Sequence, residues 1–292
     1  MTVDPLITEL TPVAETLLER HVASAREWFP HELVPWSAWA EPPVELDDAV
    51  RRAVLVNLLT EDNLPYYFAS IDDLFGSDGV WGEWSRRWTA EEGRHSIVIR
   101  DWATVTHVLD PVALERARMQ QVMAGFEHPI DGPAEGFVYV ALQELATRIS
   151  HRNTGKLLDR DGYEVMAKVA ADENRHYLFY RDIVSSALDI DPPGMMHAIE
   201  RQVRDFQMPG TGIEGFTTHA HVIARAGIYD LSIHHDQILV PVVLRHWQIE
   251  SRTGLTAEAE RARDRLLTRI RRIERAGRRL AAHRDEPVAA TG

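Results

Sequence analysis

The stretch Trp88-Thr89-Ala90-Glu91-Glu92-Gly93-Arg94-His95 has a counterpart later in the chain, Ala171-Asp172-Glu173-Asn174-Arg175-His176. Both contain Glu-x-x-His, and residues three apart on a helix share a face. Glu92 therefore points with His95, and Glu173 with His176. A lone pair of this kind means little. Here each is preceded by a further glutamate: Glu61 lies 31 residues before Glu92, and Glu144 lies 29 residues before Glu173. Both of those glutamates follow apolar runs, residues 54–59 and 137–142. The chain thus uses one pattern twice, a single Glu on one helix and Glu-x-x-His on the next.

A carboxylate facing the inside of a helical protein is costly unless it is paired or bound to metal. Four inward glutamates and two histidines, drawn from four helices, form the ligand set of a carboxylate-bridged pair of metal ions in a helical bundle. The six candidates are Glu61, Glu92, His95, Glu144, Glu173 and His176. Carboxylate and imidazole suit iron, with manganese as the alternative, and the absence of cysteine weighs against a softer metal. The competing reading makes these residues helix caps and salt-bridge partners, helped by Arg94 and Arg175. The two halves taken together weigh against it.

Apolar residues recur at helical spacing over 6–28, 46–74, 80–108, 112–124, 134–153, 162–187, 194–206, 219–226, 231–251 and 257–282. Proline and tryptophan crowd residues 29–43, which read as an irregular connection. Asp110-Pro111 reads as a helix start and Asp191-Pro192-Pro193-Gly194 as a break. Alternating, strand-like runs are scarce. The expected fold is all-α: a four-helix bundle with flanking helices. One domain is expected over 1–292, with an N-terminal helix and connection in 1–45 and a frayed tail at 285–292.

The 292 residues are 45% apolar, enough for a large core. Without cysteine there are no disulfides, thiolate metal sites or cysteine nucleophile. No apolar run approaches the roughly 20 residues that span a bilayer. The acidic N-terminus lacks a signal-peptide core, so the expected location is the cytoplasm. A net charge of −13 argues against general nucleic-acid binding. Between Arg261 and Arg284, however, ten arginines stand against two acids. The plain reading is a solvated helix face; the sharper one is a docking strip for an acidic partner.

These motifs resemble those of the soluble acyl-[acyl-carrier-protein] desaturases of the stearoyl type. Thr60-Glu61-Asp62-Asn63-Leu64-Pro65 resembles the family's first ligand helix, and the stretch from Trp88 to His95 is similar to its Trp-Thr-Ala-Glu-Glu-Asn-Arg-His motif. Gln143-Glu144-Leu145-Ala146-Thr147, with Ile149-Ser150-His151-Arg152-Asn153-Thr154, resembles the third helix, and the stretch from Ala171 to His176 the fourth. Trp247 with Thr253-Gly254-Leu255 resembles the C-terminal region.

The resemblance implies a ferritin-like fold in which Glu92 and Glu173 bridge two irons. Glu61 with His95, and Glu144 with His176, would complete the two ions. It implies that Thr147 handles protons or oxygen species; a hydroxyl bonded back to its own helix is the alternative. Asp172, Trp88 and Trp36 match positions tied to the iron–histidine network or to electron delivery. For Asp172 the physical reason is that a carboxylate accepts the free N–H of a ligand histidine; for the tryptophans, packing competes. Leu74, Gly136 and Phe137 match positions beside an acyl cavity, with Ser70 and Asp73 nearby, although a carboxylate suits an apolar wall poorly. The implied activity is O2-dependent insertion of a cis double bond into an acyl chain on acyl carrier protein, within fatty acid biosynthesis. A homodimer and a ferredoxin electron donor are implied as well, and the chain carries no flavin or nicotinamide fingerprint of its own. An acidic carrier would give the arginine strip its partner.

Two other readings share the ligand set. One is a di-iron hydroxylase or oxygenase acting on a carrier-bound hydrophobic chain. The other is a non-enzymatic iron-binding protein of ferritin type, which leaves the helices after residue 231 without a purpose. His219, His221, His234, His235 and His246 read as surface or core histidines. Gly210-Thr211-Gly212 lacks the strand and trailing glycine of a phosphate-binding loop.

Overall fold

The computed structural model describes residues 4–126 and 129–285. Among these residues every regular element is helical and no strand occurs, so the fold is all-α as expected. α1 (Pro5–Ser24) starts on Asp4, whose side chain accepts the Leu6 N–H at 2.8 Å, with Pro5 as its first residue. It ends at Ser24, short of Trp28. The chain then runs extended at Ala25 and Phe29 into the short α2 (Pro30–Leu33). Pro30 biases Phe29 away from helical angles. Trp28 is thereby carried on an arm rather than on the helix.

The helix expected over 46–74 is two helices, α3 (Asp48–Glu61) and α4 (Leu64–Phe75). Pro65 explains the break. It has no N–H to donate, and its ring excludes the carbonyl of the residue four back, which is Glu61. Glu61 therefore ends its helix. α5 (Gly79–Val105), α6 (Pro111–Ala124), α7 (Pro133–Gly155), α8 (Arg160–Ile190) and α9 (Pro192–Asp205) follow the expected ranges closely. Asp110, Asp159 and Asp191 cap α6, α8 and α9 by accepting the N–H groups of Ala113, Gly162 and Gly194.

The expected loop at 209–215 contains one 3-10 turn, Pro209–Gly212. α10 (Phe216–Arg225) follows. Of the helix expected over 231–251, only α11 (Leu231–His234) is α-helical. His235–His246 is a π-helix with Pro241 inside it, and the Trp247 N–H reaches five residues back to Val242 at 2.8 Å. Pro241 cannot serve an α-helical ladder, and the wider helix accommodates it. α12 (Ala257–Asp285) closes the fold; of the expected tail at 285–292, all but Asp285 lies outside the described residues.

α3, α5, α8 and α7 form a ring in which each helix packs on two of the others. α1 lies across α5, α7 and α8. α9 rests on α7 and α8, and α12 rests on α9 and α11. One apolar cluster joins Leu18, Trp84, Phe137, Phe179, Ile199 and Leu266; a second surrounds Trp102 with Val54, Leu58 and Met166. Along α5 and α8, the Glu-x-x-His residues fall between the two clusters. Among the described residues no helix is long and apolar enough to cross a membrane.

Candidate metal centre

The four helices of the ring supply one candidate ligand position each, two of them doubled by Glu-x-x-His. Glu61 ends α3, Glu92 and His95 lie mid-α5, Glu144 lies on α7, and Glu173 and His176 lie mid-α8. All six are buried. They gather into two groups. Glu61, Glu92, His95 and Glu173 bring one ligand atom each within 4.8 Å of the others, and so do Glu92, Glu144, Glu173 and His176. Glu92 and Glu173 belong to both groups, which is the arrangement of two ions sharing two bridging carboxylates.

Four of the inward atoms have no hydrogen-bond partner among the described residues. His95 Nδ1 lies 3.3–3.5 Å from oxygens of Glu61, Glu92 and Glu173. His176 Nδ1 lies 2.7 Å from Glu92 Oε1 and 3.7 Å from Glu144 Oε2. Yet His95 Nδ1, His176 Nδ1, Glu92 Oε1 and Glu144 Oε2 are all buried without a hydrogen bond of acceptable geometry. Orphaned polar atoms of this kind are costly in a protein interior. Burial, and then the neighbouring Glu173, push the Glu92 and Glu144 carboxyls above their usual range. A pair of divalent cations removes both the orphaned atoms and the crowding of charge, so the donor set fits a dinuclear site of hard metal ions.

The outer side of each ligand is held. His95 Nε2 faces Asp172 Oδ2 at 3.4 Å, and Asp172 also accepts from Trp28 Nε1 at 2.9 Å, from Arg94 at 2.9 Å and from Arg175. His176 Nε2 faces Glu91 Oε2 at 3.0 Å, and Glu91 also accepts from His21 Nε2 at 2.9 Å and Arg87 at 3.2 Å. Trp88 donates its indole N–H to Glu144 Oε1 at 3.1 Å. His151 Nε2 meets Glu61 Oε1 at 2.9 Å. Such partners fix a ligand's orientation and its protonated nitrogen.

Asp172 and Trp88 each reach a candidate ligand from behind. Trp36 does not. It is 52% exposed on a 3-10 turn and donates to the His31 carbonyl. The indole that reaches Asp172 is Trp28, stacked on His95 with ring centroids 6.4 Å apart and beneath the Arg94 guanidinium. The extended arm after α1 delivers it. Three other outer partners escaped the sequence reading: His21, Glu91 and His151. Glu91 had a signal, since it occupies the position in Glu-Glu-Gly-Arg-His that Asp172 occupies in Asp-Glu-Asn-Arg-His.

Thr147 has its hydroxyl bonded back to its own helix and also facing a candidate ligand. Its hydroxyl lies 3.0 Å from its own helix's Glu144 carbonyl and 3.1 Å from Glu173 Oε2. It also lines a cavity of about 830 Å³ that reaches from Glu61 and His151 to Arg269 and Arg272 of α12. A smaller cavity of about 180 Å³ meets Trp88 and Gln143 and is lined by Leu74. Gln143 and Thr147 are one turn apart on α7, so the two cavities approach that helix on either side of Glu144. Ser70 and Asp73 sit at the exposed rim of the smaller cavity, which resolves the misfit of a carboxylate in an apolar wall. Gly136 and Phe137 do not line it. A Cβ on Gly136 would come within 3.0–3.2 Å of Leu74 and Phe75, and Phe137 stacks on Phe75 at 4.2 Å, so both belong to packing behind the cavity wall.

Comparison with known proteins places this arrangement. The model of a family described as fatty acid desaturase matches residues 4–291. The chain is 41% identical to the acyl-[acyl-carrier-protein] desaturase DesA1 of Mycobacterium tuberculosis, over 92% of this chain and 85% of that protein. It is 32% identical to the chloroplastic stearoyl-[acyl-carrier-protein] 9-desaturase 6 of Arabidopsis thaliana, over 85% of this chain and 70% of that one. The X-ray structure of the acyl-ACP desaturase DesA2 of M. tuberculosis matches with a TM-score of 0.68 at 26% identity, covering 85% of this chain and 96% of DesA2.

Proposed function

This chain belongs to the fatty acid desaturase family, and from that premise we propose that it introduces a cis double bond into an acyl chain carried on acyl carrier protein, using a di-iron centre, O2 and electrons from a ferredoxin. The observation that carries the metal centre is the sharing of Glu92 and Glu173 between two buried four-ligand groups. In this reading Glu61 and His95 serve one iron, and Glu144 and His176 the other. The same reading includes a homodimer working in the cytoplasm.

When bound, the iron pair supplies the O2-dependent oxidising power that removes two hydrogens from adjacent methylenes. The rest of the task falls to the chain. Asp172 and Glu91 keep the ligand histidines oriented from behind. Thr147 presents a hydroxyl at 3.1 Å from a bridging carboxylate, where a proton can be held or passed. The larger cavity, walled on its far side by α9 to α12, offers an apolar route to Glu61 and Thr147. Those flanking helices thereby have the purpose that a storage bundle would not give them. Arg269 and Arg272 line the outer end of that cavity, and the exposed arginines of α12 continue from them. A positive strip at the entrance suits an acidic carrier protein.

The deciding experiment supplies the iron-loaded protein with acyl-carrier substrate, reduced ferredoxin and O2, and weighs the product. Loss of two hydrogens is expected. Gain of one oxygen would replace desaturation by hydroxylation. Reversing charge at Arg271 and Arg272 should raise KM several-fold at low salt and less at high salt; an unchanged KM removes α12 as the docking strip.

A further inference from the structure

The two Glu-x-x-His segments treat each other symmetrically. The residue before each bridging glutamate turns to the histidine of the opposite segment: Asp172 of α8 to His95 of α5, and Glu91 of α5 to His176 of α8. The symmetry stops one step further out. Behind Asp172 stand an indole and two guanidinium groups, from Trp28, Arg94 and Arg175. Behind Glu91 stands a single buried imidazole, His21 of α1, with Arg87 on the other carboxylate oxygen.

His21 is 4% exposed and lies in the gap between α1, α5 and α8. Its ring lies nearly parallel to that of His176, at 5.8 Å between centroids and 20° between planes, and meets Trp84 edge-on at 5.0 Å. Glu91 can only accept when ionised, so both Nε2 atoms donate to the same oxygen, Oε2. Among the described residues His21 Nδ1 has no hydrogen-bond partner. Burial lowers the affinity of this imidazole for a second proton, with Glu91 acting the other way, which agrees with a neutral ring that donates through Nε2 alone.

We propose that His21 is a positioning residue for the metal ion of His176: by fixing Glu91 it fixes the His176 ring, independently of the Trp28–Asp172 arm that serves His95. The proposal rests on the metal-centre reading above. The carboxylate of Glu91 has a long, flexible side chain, and its two donors from outside the ligand set are His21 and the half-exposed Arg87. Without His21, Oε2 keeps only the His176 bond, and the carboxylate is free to swing toward Arg87. The loss therefore falls on one ion of the two.

The test loads the metal-free full-length protein with Co(II), titrated under anaerobic conditions against a competing chelator and followed by visible absorption and by the hyperfine-shifted ring N–H resonances of the ligand histidines. Wild type should bind two cobalt ions per chain. His21→Phe should weaken one ion by about 10–100-fold and leave the other unchanged. It should displace the same N–H resonance that Glu91→Gln displaces, whereas Trp28→Phe should displace the other. His21→Gln, which keeps a donor near the Nε2 position, should restore affinity to near wild type. Melting of the metal-free proteins identifies a folding defect, and if His21→Phe does not fold, the smaller polar His21→Asn takes its place. The proposal is overturned if the His21 variant binds both ions as wild type does, weakens both alike, or is not improved by Gln. If wild type binds no stoichiometric cobalt, the metal-centre reading itself falls and takes the proposal with it.

Discussion

The α5 and α8 segments share Ala, Glu, Arg and His in the same register, yet their histidines are backed differently. His95 rests on an aspartate gripped by an indole and two arginines. His176 rests on a glutamate gripped by a buried imidazole and one half-exposed arginine. The terminal glutamates differ in the same way: Glu144 takes an indole N–H from Trp88, and Glu61 takes an imidazole from His151. Each four-residue group thus contains one Trp-supported and one His-supported candidate ligand, in crossed order. A repeat can set a ligand set twice over while the surrounding helices make the two copies unequal.

The strongest way to break the comparison is to remove a shared ligand. Glu92→Ala or Glu173→Ala should cost both ions at once, measured as iron per chain, whereas Glu61→Ala or Glu144→Ala should cost mainly one. Loss of a single ion from a bridging variant would show that the halves are independent. Removing the metal altogether should be the next largest effect. Folded protein at a thousandfold excess of metal over its Kd gains about 4 kcal/mol, so chelation should lower the melting temperature clearly. An unchanged melt would mean that the buried carboxylates are satisfied without ions.

Smaller changes sharpen the comparison. Asp172→Asn should weaken the ion of His95 by about 10–100-fold and slow its reduction, with little effect on the other ion. Equal weakening of both would place Asp172 in general packing. Trp88→Phe removes one hydrogen bond to a buried carboxylate, worth about 1.5–3 kcal/mol, and should be read in the affinity of the ion held by Glu144. Thr147→Val should have the smallest effect on metal content, within about tenfold, and show itself in turnover; a large loss of iron would make Thr147 a support of Glu173 rather than a proton carrier.

How far the sequence reached follows from the range of the interactions involved. Helical spacing, capping aspartates and the placement of prolines are local, and they gave an all-α chain with most helices in place. Where prolines sat inside an apolar period, at Pro65 and Pro241, the period masked the break and the π-helix. The six candidate ligands were legible because Glu-x-x-His on a helix is a local geometry and because it occurs twice with the same lead-in. Their supports were not, with Asp172 and Trp88 as the exceptions carried by motif. Helical spacing places Trp28 at the end of a helix and gives no sign of its contact with Asp172. Only the extended arm between α1 and α2 decides which indole reaches Asp172.

By itself, then, the sequence determined the fold class, the four helices that carry the candidate ligands and the identity of six inward side chains, since each depends on residues within a turn or two of one another. Tertiary structure decided what stands behind those side chains. His21 reaches Glu91 across 70 residues of sequence and Trp28 reaches Asp172 across 144, and contacts of that range exist only once α1 has packed over α5 and α8.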